Sequence, residues 1–230
     1  MGGAALGARV TDRPVPVIPG SLGLFGGTFD PIHFAHLAVA QEAAETLGLE
    51  RVLFMPAGMP PHKPDRAITA GADRLAMVEL AIAGNARFAV DRLELDRHGP
   101  SYTVDTLETL VASRPNRPDA TPAITLILSS EAFLGLPTWR SPGRILELAC
   151  LAVAPREGYP SVTAAFMDTE FPEFKDRVTY LDGPRMRLSA SELRTRAAAG
   201  RTLRYLVPDA VAAYIDDHAL YRNPRRNPET

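Results

Sequence analysis

The chain has 230 residues, and its 25 Lys and Arg against 27 Asp and Glu give a formal net charge of -2. That balance argues against a general nucleic-acid coat, which needs a basic surface, and no apolar run approaches the ~20 residues of a membrane span. A single cysteine, Cys150, excludes a disulfide framework or a cysteine-based zinc site, and 46% apolar with 23% charged residues fits one globular domain, with a cytoplasmic enzyme as the default reading.

Residues 1–20 are rich in Gly and Pro and lack periodicity, so they read as a mobile tail. The folded unit is expected over 21–221, with a second polar tail over 222–230. Residues 21–27 predict a strand entering a glycine turn, and 34–48 a helix ending on Gly48. A buried strand over 51–56 stops at Pro56. A helix over 71–83, a short strand over 88–90 and a helix over 102–113 follow. The strongest central-strand signal is AITLILSS at 123–130, then LACLAVAP at 148–155 and a shorter strand at 178–181. Helices over 189–199 and 208–217 close the chain, the latter with Pro208 near its start. This alternation predicts an α/β fold, a Rossmann-like doubly wound parallel sheet with helices on both faces. Ligands in such folds bind at the carboxyl ends of the strands.

The first strand runs into GGTFDPIHFAH, residues 26–36. Gly26 and Gly27 let the backbone approach a phosphate, and the helix behind them adds a positive end. Asp30 and Pro31 set a turn, and His33 and His36 share one helix face, where both can donate to phosphate oxygens. No Lys-Ser or Lys-Thr follows, so this is not a Walker A loop. In RMRLSASELRTR, residues 185–196, Ser189 is placed to cap a helix with Glu192 as the capping-box acid. The same helix start offers Ser191 and Arg194 to a second phosphate. Only two cations are lysine, Lys63 and Lys175, and Lys63 follows the second strand in MPAGMPPHKP, which favours a phosphate contact. Ser101 is placed to cap the helix that starts near Tyr102 and Thr103. Trp139, the one tryptophan, lies in a loop after the strongest strand and can stack on a flat ring.

GGTFDPIHFAH resembles the (G/A)-G-x-F-D-P-x-H-x-G-H signature of the nucleotidyltransferase superfamily, with Ala35 in place of the glycine between the two histidines. LSASELR is similar to its I-S-[ST]-T-x-[IL]-R motif, with Ser191 for the usual Thr. The PPHK loop ending at Lys63, ELDRHGPSYTVDTL, LPTW, PREGY and RYLVP together resemble the nicotinate-nucleotide adenylyltransferase family over nearly all of 21–221. SSEAF at 129–133 departs from the family's Gly-Ala-Asp, so Glu131 stands for Asp.

The resemblance implies adenylyl transfer from ATP to nicotinate mononucleotide, giving nicotinate adenine dinucleotide and pyrophosphate in NAD biosynthesis. It implies a catalytic set of His33, His36, Lys63 and Arg194. It assigns ATP to Gly26, Gly27, Thr28, Phe29, His33, His36, Glu131, Ser189, Ser191 and Arg194. Nicotinate mononucleotide falls to Lys63, Tyr102, Thr103, Trp139 and Arg156. Mg²⁺ is expected to arrive with ATP, with waters completing its shell and no dedicated protein ligands. The expected partners are these two small molecules, with neither nucleic acid nor membrane, and the sequence leaves a homo-oligomer open. Three alternatives stay open: another superfamily member such as pantetheine-phosphate adenylyltransferase or a cytidylyltransferase, a nonenzymatic nucleotide-binding module, and an H-x-x-H metal hydrolase.

Overall fold

The computed structural model describes residues 16–59, 68–114, 122–160 and 162–222. Most of both expected tails, and Lys63, lie outside the described residues. Six strands form one sheet: β1 (Ile18–Gly27), β2 (Leu49–Pro56), β3 (Phe88–Val90), β4 (Ile124–Ser129), β5 (Cys150–Ala154) and β6 (Val178–Tyr180). Every pairing is parallel and the order is β3-β2-β1-β4-β5-β6. The doubly wound sheet expected from the sequence is therefore present. β1 starts at Ile18, so residues 18–20 belong to the sheet rather than to a tail.

The helices divide between the faces. α1 (Phe34–Thr46), α2 (Gly71–Ile82), α7 (Ala190–Ala198) and α8 (Asp209–Asp217) pack on one side, where Ala43, Met77, Leu193 and Val211 join a core built on Phe25 and Val52. α3 (Thr103–Ala112), α4 (Ser130–Leu134), α5 (Pro142–Leu148) and α6 (Ala164–Glu170) cover the other, where Leu107, Phe133, Ile145 and Met167 pack against Leu24 and Leu126. Successive residues of β1 thus feed opposite cores, as strand alternation requires. α1 ends at Thr46 and caps on Leu47, so Gly48, expected as the cap, lies one position past it, at φ 59°.

α4, α5 and α6 are not among the expected elements. Each spans only five to seven residues, too short for apolar periodicity to accumulate. Ser130 starts α4 and Leu148 ends α5, which trims the two strands expected over 123–130 and 148–155.

Leu107 is fully buried between α3 and the sheet. Leu107→Ala should cost roughly 2–5 kcal/mol through lost transfer energy and an unfilled cavity. Urea unfolding should report this as a lower midpoint at unchanged slope.

Candidate active site

The carboxyl ends of β1, β4 and β5 open into one cavity of about 740 Å³, a size suited to a nucleotide. Gly26, Gly27, Thr28 and Phe29 border it where β1 ends. A methyl group on Gly26 would meet nothing within 4 Å, whereas one on Gly27 would lie 3.0 Å from the Phe29 ring. Neither glycine has a positive φ; the left-handed residue of this turn is Phe29, at φ 47°. That conformation costs of order 1–3 kcal/mol in a residue with a side chain. Phe29 is held there by packing, since it is 2% exposed and meets Phe25, His36 and Phe54. Gly26 therefore keeps space open, while the turn's unusual backbone falls on an aromatic residue.

His33 is the N-cap of α1, and His36 lies in its first turn. Their rings stack with centroids 3.7 Å apart and 17° between planes. The His33 amide donates to Nδ1 of His36 at 3.3 Å, so a neutral His36 carries its proton on Nε2. The edges of Phe25 and Phe29 close around His36. Burial lowers the His33 pKa from 6.5 to about 4, assisted by the Arg156 guanidinium. His36 is pushed well below its ordinary value by burial first, then by His33 and Arg156. Both imidazoles are thus neutral N–H donors near pH 7, and an incoming anion would favour their charged forms.

Opposite them, Ser189, Ser191 and Arg194 border the cavity at the start of α7. Ser189 is the N-cap, but its hydroxyl makes no capping bond, so the expected capping box is not closed. Arg194 donates from Nη1 to the main-chain carbonyl of Asp30 and from Nη2 to the Ser191 hydroxyl at 3.2 Å. Glu131 lines the wall beside β4, where it accepts from the Tyr159 hydroxyl at 2.6 Å and pairs with Arg156. Arg156 also borders the cavity, its amide donating to the Ser130 hydroxyl at 3.1 Å.

Tyr102, Thr103 and Trp139 line the cavity from the other core, with Tyr102 and Trp139 packed beside Leu107 and Ile145. Tyr102 is the N-cap of α3, and no side chain caps its amides. Ser101, expected as that cap, instead turns its hydroxyl to the Glu94 carbonyl at 3.4 Å. Trp139 is half-buried beside the helix start. Two residues not among the expected set also line the cavity. The Arg140 guanidinium lies 4.7 Å from the Tyr102 ring centroid and 3.5 Å from Asp105. Glu94 is buried in the wall with Thr106 donating to it at 2.8 Å. Its pKa is raised, chiefly by burial. The adjacency of Arg140 to Trp139 was the available signal; Glu94 had none beyond its place before the Ser-Tyr-Thr turn.

All the candidate residues apart from Lys63 therefore border one cavity. Among the described residues there is no group of three or more His, Cys, Asp or Glu side chains able to hold a metal ion. Among them, too, no helix is long and apolar enough to cross a membrane.

Hydrogen-bond donors and an aromatic side chain sharing one cavity at the switch point of a parallel sheet are what a nucleotide-handling transferase requires. The cytidylyltransferase-like family pattern matches residues 24–196. The chain is 47% identical over 201 residues to the probable nicotinate-nucleotide adenylyltransferase of Thermomicrobium roseum, covering 87% of this chain and 91% of that one. It is 44% identical over 200 residues to that of Herpetosiphon aurantiacus, covering 87% and 98%. The chain belongs to the nicotinate-nucleotide adenylyltransferase family and is a nucleotidyltransferase. In fold it resembles the Plasmodium falciparum nicotinic acid mononucleotide adenylyltransferase complexed with NaAD, with a TM-score of 0.71 at 18% identity, covering 87% of this chain and 97% of that one.

Two outcomes follow from this geometry. Gly26→Ala should leave the melting temperature nearly unchanged, because its methyl meets no protein atom within 4 Å, while binding of an ATP analogue weakens. The second concerns acid stability. His33 titrates near 6.5 when unfolded and about 4 when folded, so the unfolded state binds the extra proton between those values. Stability is full above about pH 6.5 and falls by roughly 3 kcal/mol as pH drops through 4. His33→Gln should remove that part of the slope, read as urea midpoints between pH 7 and 4 compared with the unmutated protein.

Proposed function

We propose that this enzyme transfers the adenylyl group of ATP, bound as its Mg²⁺ complex, to nicotinate mononucleotide. The products are nicotinate adenine dinucleotide and pyrophosphate, a step of NAD biosynthesis that we assign to the cytoplasm. The observation that supports this reading is that one cavity is lined both by the paired histidines and the α7 start and by Trp139 and the α3 start, groups suited to the two halves of such a dinucleotide.

In this reading a phosphate oxygen of the mononucleotide attacks the α-phosphorus of ATP. A new P–O bond forms, and the bond to the β-phosphate oxygen breaks as pyrophosphate leaves. The nucleophile is already ionised near pH 7, so no general base and no covalent enzyme intermediate are required. Catalysis then rests on positioning and charge stabilisation. His33 and His36 contribute as neutral N–H donors, and Lys63 and Arg194 as cations toward the phosphates. Mg²⁺ arriving with ATP would offset part of the phosphate charge.

The α3 start supports a preference for the acid over the amide. Uncapped amides, the Thr103 hydroxyl and the positive helix end satisfy a carboxylate, but they confront the NH₂ of nicotinamide with further donors. Arg140 adds a cation at the same end. Trp139 supports stacking on either ring without distinguishing them.

His36→Ala should fold normally yet lose about 100- to 1,000-fold in turnover, the cost of one transition-state donor; near-normal turnover would remove His36 from the mechanism. Arg194→Ala should lower the rate strongly, and Arg194→Lys should not restore it, because lysine lacks the bidentate fork. Pyrophosphate release with ATP and each pyridine mononucleotide tests the reading as a whole. Nicotinate mononucleotide should be preferred at least ~10-fold, with Trp139→Ala weakening both substrates alike and Arg140→Ala narrowing the gap. Equal efficiency on the two mononucleotides would refute the assignment of specificity to the α3 start.

A further inference from the structure

Asp30 is a buried charge at the edge of the site, with its side chain 5% exposed. A carboxylate so enclosed depends on the partners supplied to it. Its Oδ1 accepts from the Tyr221 hydroxyl at 2.7 Å. Its Oδ2 accepts from the Thr69 amide at 3.4 Å and lies 3.9 Å from Nη1 of Arg194. The same Nη1 donates to the Asp30 main-chain carbonyl, so Asp30 holds Arg194 through two of its oxygens. Behind this pair, Arg74 is 3% exposed and donates to the carbonyls of Thr28 and Thr69, both at 2.9 Å. The turn and the residues facing it are therefore braced, and Asp30 cannot swing away without breaking the set.

Tyr221 comes from the far end of the described chain, just after α8. Its backbone is left-handed, at φ 63°, and its ring packs against the core beneath α1, α2 and α8. Burial, and then Asp30, push the phenol far above its ordinary pKa, so it remains a donor.

We propose that Tyr221 is a positioning residue for adenylyl transfer: its hydroxyl fixes the Asp30 carboxylate, which in turn holds the Arg194 guanidinium ready for the triphosphate. This rests on the reading of Arg194 as a phosphate ligand. An arginine fork held in place loses less freedom when it meets an anion than a free one does. Without the Tyr221 hydroxyl, Oδ1 of Asp30 loses its donor in a buried place, and the carboxylate turns toward the guanidinium. That change displaces Arg194 from its preset position.

Tyr221→Phe keeps the ring and removes only the O–H. Binding of a nonhydrolysable ATP analogue, measured by calorimetry with Mg²⁺ present, should weaken about tenfold, the scale of one hydrogen bond to a charged group. The KM for nicotinate mononucleotide should stay within about twofold, a split that a general loosening of the fold would not produce. In the Arg194→Ala background, adding Tyr221→Phe should cost nothing further. Unchanged analogue binding in a folded Tyr221→Phe protein overturns the inference, as does an equal loss for both substrates or a fully additive double variant. If Tyr221→Phe does not fold, Asp30→Asn tests the same link, and unchanged analogue binding there overturns it too. If Arg194→Ala itself binds the analogue normally, the phosphate reading of Arg194 falls and this inference with it. That result is distinct from one in which Arg194→Ala weakens binding and Tyr221→Phe does not.

Discussion

The site exists because β1 and β4 are neighbours whose onward connections leave to opposite faces of the sheet. From β1 the chain turns through residues 26–33 into α1 and one core; from β4 it turns through Ser129 into α4 and the other. Nothing is then obliged to cover the carboxyl ends of these two strands, and a crevice results. The β1 turn supplies Gly26 and the histidines, the β4 end supplies Glu131, and the β5 end supplies Arg156. Moving β4 elsewhere in the order would separate these groups without changing a single motif.

Within that crevice, desolvation sets the chemistry of each polar group. Two imidazoles stacked at 3.7 Å could not both be charged at modest cost, and burial keeps them neutral. The guanidinium groups behave differently because each has a partner: Arg194 with Asp30, Arg156 with Glu131, Arg140 with Asp105. The result is a cavity rich in donors in which none of these three cations depends on a ligand alone for its neutralisation. In the proposed reaction a phosphate entering it would meet cations already held by carboxylates, so affinity would depend on how those carboxylates are themselves held. This makes Asp30, enclosed and multiply bonded, a different kind of partner from Glu131, which is half-exposed and shared with Tyr159.

What was legible in the sequence was contiguous. GGTFDPIHFAH and LSASELR each put their functional groups on one turn and one helix start, and periodicity located the flanking strands to within a few residues. Local arguments failed where tertiary contacts competed with local ones. Ser101 satisfies the Glu94 carbonyl in place of the α3 amides, and Ser189 leaves its cap open at the cavity. The turn after β1 read as glycine-driven, yet packing places the left-handed residue at Phe29. The Tyr221 contact to Asp30 spans 191 positions and has no pattern that a single sequence can display.

The two ends of the cavity are anchored in different cores. His33, His36 and Arg194 stand on α1 and α7, which pack with Phe25, Phe29 and Leu193 on one face. Tyr102, Thr103 and Trp139 stand on or beside α3, which packs with Leu24, Leu107 and Ile145 on the other. The sheet between them, paired residue by residue from β1 to β4, is the rigid spacer. For a reaction with no covalent intermediate, the distance between attacking oxygen and phosphorus is the quantity that matters, since a misplacement of about 1 Å can cost on the order of 100-fold. Holding each substrate by its own core while one sheet fixes the separation lets either pocket vary in specificity without moving the reacting atoms of the other. In the proposed reaction, base choice can then reside in the α3 start, with Trp139 holding the ring, while the triphosphate is held from α1, α7 and the Asp30 brace on the other core.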